Sequence, residues 1–284
     1  MRIDLHTHSS VSDGTDAPGD LVRAARRAGL DVIALCDHDT FAGLDEAASE
    51  GPRSGIRVLR GIEISCELHG GSVHLLGYGC RADDSALGLE LARIRAGRTG
   101  RIPAMLARLA ALGMRVGESD LAPFVGNSPS VGRPHVADAM VALGYVADRR
   151  EAFDSWLADG GPAFVDRYNA PLTQAVDLVH AAGGAAVIAH PWGRGSRERL
   201  TAEVLSLLAK AHALDGIEVD HTDHDEAARG ELRVIANSAG LLVTGSSDYH
   251  GLGKINNSLG CETTPPSVFE RLLDRIRDRG GRPW

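Results

Sequence analysis

Short apolar runs that alternate with helical segments, and that end in polar residues, constrain this chain most. Asp31-Val32-Ile33-Ala34-Leu35-Cys36 is nearly continuous in apolar, partly β-branched residues. That is the pattern of a strand covered on both faces, and it runs into Asp37-His38-Asp39-Thr40. The same pattern recurs at Arg57–Ser65, Ser72–Tyr78, Ala185–His190, Gly216–His221 and Leu241–Gly245. Helical patterns precede or follow these runs: one opened by Asp16-Ala17-Pro18 and closed by Gly29, then 41–49, 172–182, 202–211 and 225–239. Together with residues 3–7 this makes seven β segments. A parallel barrel gathers the C-terminal ends of all its strands on one rim, so seven such segments imply seven polar ends in one mouth.

The first segment shows what the mouth would contain. Ile3, Leu5 and Thr7 alternate with Asp4, His6 and His8, which as a strand puts the two histidines on one face and the apolar side chains on the other. Two imidazoles at adjacent same-face positions can grip one metal ion, and Asp13 follows after a short Ser-rich turn. Over the whole chain, His6, His8, Asp13, His38, Glu63, His74, His190, Asp248 and His250 all lie in or just after predicted strands. Nine such groups on one rim would repel or stay unsatisfied without cations to neutralise them. Nine donors also exceed what one first-row ion uses, so more than one ion is expected.

The rhythm breaks after the fourth strand. From Leu87 to Leu112 the pattern is helical, interrupted near Gly97–Gly100 and Pro103, and further helical patches fall at 134–143 and 150–158. Residues 100–165 therefore read as a mostly helical insertion over the mouth of a main domain formed by 1–99 and 166–284.

Composition narrows the partners. A formal net charge of −8 and a pI near 5.8 leave no broad basic field for duplex nucleic acid or a membrane surface. An anionic substrate would then rely on bound cations and a few local arginines. Cys36, Cys66, Cys80 and Cys261 are far apart and form no metal knuckle or disulfide framework. Without an apolar run of eighteen residues or a cationic leader, the chain is expected to be soluble, cytoplasmic and unexported.

The motif series D-L-H-T-H-S-x-x-S-D-G-T, C-D-H-D-T, G-I-E-I-S, H-L-L-G-Y, A-H-P and S-D-Y-H resembles that of the PHP (polymerase and histidinol phosphatase) phosphoesterases. The resemblance implies an α/β fold, a distorted seven-stranded β/α barrel with a trinuclear centre of divalent ions, manganese first and iron or zinc otherwise. Carried over by position, it implies His6, His8, Glu63 and Asp248 for one ion, Glu63, His74 and His190 for the second, and Asp13, His38 and His250 for the third. A hydroxide bridging two ions, available near neutral pH, would attack phosphorus in line. Asp248 or His221 would handle protons.

Within the family, the chain resembles the stand-alone bacterial enzymes with a helical insertion, through G-R-P-H-V-A and G-G-P-A-F-V. That likeness implies removal of the 3′-phosphate from nucleoside 3′,5′-bisphosphates such as adenosine 3′,5′-bisphosphate, and, for a related subset, 5′→3′ exonuclease action on short RNA. Histidinol-phosphate phosphatase, a polymerase-type exonuclease and a metal-bound module without catalysis are the alternatives. Substrate contacts are expected from Arg98, Arg101, Arg133, His135, Arg194 and His221, because a guanidinium recognises phosphate in a bidentate fashion.

Overall fold

The computed structural model describes residues 1–284, the side chain of Arg194 excepted. The first half runs β1 (Ile3–Thr7), α1 (Pro18–Arg27), β2 (Val32–Leu35), α2 (Leu44–Ser54), β3 (Arg57–Leu68) and β4 (Gly71–Tyr78). Then come α3 (Ser85–Gly100), α4 (Ile102–Ala111), α5 (Glu118–Val125), α6 (Arg133–Ala142) and α7 (Arg149–Ala152), the last running on into a π-helical turn. The second half is β5 (Ala170–Pro171), α8 (Leu172–Ala181), β6 (Ala185–Ile188), α9 (Ala202–Ala211), β7 (Gly216–Asp220), α10 (Glu226–Ala239), β8 (Leu242–Gly245) and α11 (Pro266–Asp278).

The strands hydrogen-bond in the order β1-β2-β3-β4-β6-β7-β8, with β5 a two-residue addition to the end of β3. The sheet nearly closes on itself. His8 N–H donates to the Tyr249 carbonyl at 2.9 Å, and Asp4 accepts from the Ser247 and Gly260 amides, which ties β1 to the chain after β8. This is the seven-stranded barrel expected, with one correction. β4 runs antiparallel to both of its neighbours, so the sheet is mixed rather than parallel. The cause is local: His69 and Gly70 alone join β3 to β4, both at positive φ, a two-residue turn of the kind that reverses a chain into a hairpin. A parallel return would need a crossover of a dozen residues or more. Because β4 is reversed, its first half faces the mouth and His74 pairs across to Ser65.

Side-chain alternation sorts the core. Val32, Ala34, Leu59, Leu76, Tyr78, Ala185, Val187 and Leu242 share one apolar cluster with Phe269, Leu272, Leu273 and Ile276 of α11. α11, which the sequence pattern did not reveal, thus stops the barrel at the end opposite the mouth. Burying each of its four large side chains contributes roughly 1.5–3 kcal/mol. Ile33 and Leu35 instead pack outward on α1 and α2, while Ile62, Ile64, Leu75 and Ile217 pack outward on α3 and α8–α10. From Ile102 to Ala163 the chain builds an apolar cluster of its own. All four cysteines are free, and no described helix is long and apolar enough to cross a membrane.

Candidate metal centre

Each ligand-type side chain reaches the mouth for a local reason. On β1 the register passes from Asp4↔Ile33 to Thr7↔Leu35, three residues against two, which is a β-bulge. The extra residue alters the simple alternation expected of this strand. Ile3 and Leu5 join the barrel's inner apolar cluster, and His6 and His8 sit above them in the mouth. Asp39, His190 and Asp248 all have positive φ, at 58°, 28° and 51°. Non-glycine residues held there store strain, and all three lie just past strand ends on the rim.

Glu63 is the hub. Its Oε2 lies 3.2 Å from His6 Nε2, 3.1 Å from His8 Nε2 and 3.2 Å from His38 Nδ1. Its Oε1 lies 2.7 Å from His74 Nδ1 and 3.2 Å from His190 Nε2. Asp248 Oδ1 stands 3.5 Å from His6 Nε2 and 3.3 Å from His8 Nε2. Asp13 meets His250 Nε2 at 3.3 Å and His38 Nε2 at 3.6 Å. All nine residues expected from the sequence therefore share one mouth.

Their donor atoms form three groups, each with its atoms within 4.8 Å of one another: His6, His8, Glu63 and Asp248; His8, Asp13, His38 and His250; and His38, Glu63 and His74. The first matches the set carried over from the family resemblance. In the others His8 and His38 are shared between groups, while His190 stands beside Glu63.

The chemistry of this set fits divalent cations. Glu63 is 1% exposed, and burial works to raise its pKa, yet His38, His74 and His6 together with the hydrogen bond to His190 draw it well below the usual carboxylate range. Asp13 is likewise lowered by His38 and His250 against the effect of burial. The imidazoles split. Burial lowers His8, but hydrogen bonds to Asp248 and Glu63 carry it up to about 9, whereas burial, Lys254 and His8 take His250 down to about 4. Hydrogen-bond satisfaction is also incomplete: His38 Nδ1 is buried without a hydrogen bond among the described residues, and His6 and His8 present Nε2 atoms to each other at 3.0 Å. Crowded imidazole nitrogens and anionic carboxylates are the donors that first-row ions take, and an ion bound there would replace the proton that Asp248 and Glu63 draw onto His8.

A surrounding layer fixes the donors. Glu218 takes the Nδ1 side of His6 at 3.2 Å and accepts the His190 amide at 2.9 Å, and His250 Nδ1–H donates to the Asp248 carbonyl at 2.8 Å. Both arrangements leave Nε2 facing the centre. Burial acts to raise the Glu218 pKa, but His6 and His221 bring it to about 2. Glu218 was not singled out in the sequence, although it carries the same signal as Glu63, a carboxylate between two apolar β-branched neighbours in a strand. Asp37 accepts from the Ser9 amide and from the Ser9 and Ser12 hydroxyls, which holds the loop bearing Asp13. Lys254 contacts Asp248 Oδ2.

The expected substrate residues divide. Arg98 is not directed to open space: its Nε donates to Asp39 Oδ2 and its Nη2 to Ser65 Oγ, each at 2.6 Å, so it braces the turn after β2. His221 is fully buried behind Asp248, 3.4 Å from its Oδ2, with Nδ1 accepting from the Asp223 amide. That placement acts through Asp248 and leaves no surface for substrate contact. His135 is buried with Nδ1 accepting from the Gly132 amide at 3.1 Å, and burial lowers its pKa, so a neutral ring keeps Nε2–H as donor. Arg101 and Arg133 line a cavity beside the mouth. The Arg194 side chain lies outside the described residues.

Comparison with known proteins agrees with this geometry. The PHP domain profile matches residues 4–97. A 3′,5′-nucleoside bisphosphate phosphatase of Chromobacterium violaceum is 37% identical over 283 residues, 99% of each chain. A 5′-3′ exoribonuclease of Haemophilus influenzae is 33% identical over 88% of this chain and 90% of its own. A crystal structure described as a metal-dependent phosphoesterase from Bifidobacterium adolescentis superposes with a TM-score of 0.91 at 34% identity, covering 96% of each chain. A relative of this identity over the full length, the profile match and the shared barrel lead to one conclusion: the chain belongs to the PHP family and is a metal-dependent phosphoesterase.

Proposed function

We propose that this protein removes the 3′-phosphate from nucleoside 3′,5′-bisphosphates, adenosine 3′,5′-bisphosphate among them, leaving the 5′-monophosphate and inorganic phosphate. The observation that carries this reading is the single mouth in which Glu63, His8 and His38 are shared between groups of donors. Full-length likeness to a bisphosphate phosphatase supports the choice of substrate. Three divalent ions, manganese with iron or zinc as substitutes, would be held by His6, His8, Glu63 and Asp248; by Glu63, His74 and His190; and by Asp13, His38 and His250. Bound there, such ions neutralise phosphoryl oxygens and acidify water to a pKa of about 7.

The chain's own residues position the rest. Burial opposes ionisation of Asp248, but Lys254, His6 and His250 hold its carboxyl well below the usual range. Asp248 therefore stays anionic at neutral pH and serves as a ligand, with His221 orienting it. His135 offers Nε2–H to the substrate, joined by Arg101 and Arg133. Residues 100–165 form the cap that shields the reacting phosphate from bulk water. The similarity to a 5′-3′ exoribonuclease favours a second use of the same site, on short RNA with a 5′-phosphate.

The test is phosphate release by purified protein with manganese. It should be faster from adenosine 3′,5′-bisphosphate than from histidinol phosphate, and equal or reversed rates would overturn the substrate assignment.

A further inference from the structure

Beside the mouth lies a cavity of about 510 Å³ whose wall carries Ser72 and four arginines, Arg101, Arg133, Arg167 and Arg199, against three acids, Glu67, Asp159 and Asp166. Ser72 precedes His74 by two residues on β4, so the two side chains point to one side of the strand, about 7 Å apart. The cavity therefore begins where the candidate centre ends.

Arg101 and Arg167 make no ion pair among the described residues. Arg101 is only 6% exposed, its Nε has no partner among the described residues, and its Nη1 reaches the Val165 carbonyl at 3.2 Å. The Arg167 guanidinium donates to the Tyr168 carbonyl at 3.0 Å. Among the described residues, the side-chain hydrogen bonds of both go to backbone carbonyls alone. Burial, with Arg133, Arg167 and Arg98 nearby, takes Arg101 down to about 8, and burial with Arg98 takes Arg167 to about 9. Arg133 is differently placed, paired with Asp159 at 2.7 Å. Arg101 is buried and Arg167 half-buried, neither has a carboxylate partner among the described residues, and a phosphate dianion is a partner whose oxygens fit such forks.

We propose that this cavity, through Arg101 and Arg167, binds the phosphate that is not hydrolysed, at the far end of a substrate carrying two. The inference rests on the reading of the protein as a bisphosphate phosphatase and adds to it a place for the second phosphate. Arg167 was not apparent as a binding residue in the sequence. The cavity makes selection a matter of reach: a monoester fills the centre alone, whereas a bisphosphate fills both.

Arg167→Gln and Arg101→Gln test this in manganese-loaded protein, with adenosine 3′,5′-bisphosphate and p-nitrophenyl phosphate as substrates. Each variant should lower the ratio of kcat/KM for the bisphosphate to that for p-nitrophenyl phosphate by about 10-fold or more, mainly through KM. A ratio unchanged in both variants would overturn the second-phosphate site while leaving the phosphatase reading intact. Calorimetry of metal-free protein with adenosine 5′-monophosphate supplies a second arm: binding to wild type that is lost in Arg167→Gln supports the site, and equal binding by both contradicts it. If wild type turns over neither substrate, the phosphatase reading fails and the calorimetric arm alone decides whether the cavity takes phosphate.

Discussion

Glu63 faces five imidazoles, and its carboxylate is tolerated in the barrel because they surround it. Glu218, three strands further round, has the opposite task of holding imidazoles from behind. Outer partners of this kind typically change metal affinity 10–100-fold when removed. Glu218→Gln is therefore expected to weaken manganese binding by about that factor while leaving the fold intact, measurable by metal titration alongside circular dichroism; unchanged affinity would show that His6 needs no such support. At this scale the ligand types were legible because strand-end acids and imidazoles stand out against apolar runs. Arg98 was not, since nothing in Arg98-x-x-Arg101 tells that one guanidinium is spent on Asp39 while the next has an unpartnered Nε.

Among elements, the strands were legible as apolar runs ending in polar residues, and the helices between them from apolar spacing and the residues that open and close them. Asp225, for example, caps α10 by accepting the Ala228 amide at 2.8 Å, and Gly240 ends that helix at positive φ. Two features were hidden. The bulge in β1 depends on how β2 pairs with it, and the reversal of β4 depends on a two-residue link that a reading for β–α rhythm passes over. α11 is secured by a further device invisible to periodicity. Asp215 is buried beneath the barrel, accepting from the Ala186 amide, His180 and the guanidinium groups of Arg275 and Arg279. Burial works to raise its pKa, but His180, Arg275 and Arg279 lower it below the ordinary value. A carboxyl lowered on folding contributes stability that is full above its unfolded pKa of about 3.9 and is lost as pH falls through the folded value. Asp215→Asn should cost about 1–3 kcal/mol at neutral pH by removing the anion shared by the half-buried Arg275 and Arg279. The difference from wild type should shrink below about pH 4 in denaturant titrations, and a difference independent of pH would mean the carboxylate charge is immaterial.

As a whole molecule, the protein places a compact helical unit against the rim that carries its most crowded charges. Ser128 Oγ donates to the Val11 carbonyl at 2.8 Å, and Arg149 Nη1 donates to the Asp13 carbonyl at 3.0 Å while its other nitrogens grip Asp138. The segment 102–163 is thereby fastened to the loop that holds Asp13. The net charge of −8 gives no hint of a cavity in which four arginines from separate segments outnumber three acids, because such a local excess disappears in the sum over the chain. The account as a whole depends on cations making the mouth tolerable. The most direct measurement is metal content against turnover: elemental analysis of protein as purified, after chelation and after manganese is restored, with phosphate release assayed on the same samples. The account predicts up to three ions per chain, their loss together with turnover on chelation, and recovery of both with manganese. Full turnover by metal-free protein would contradict it.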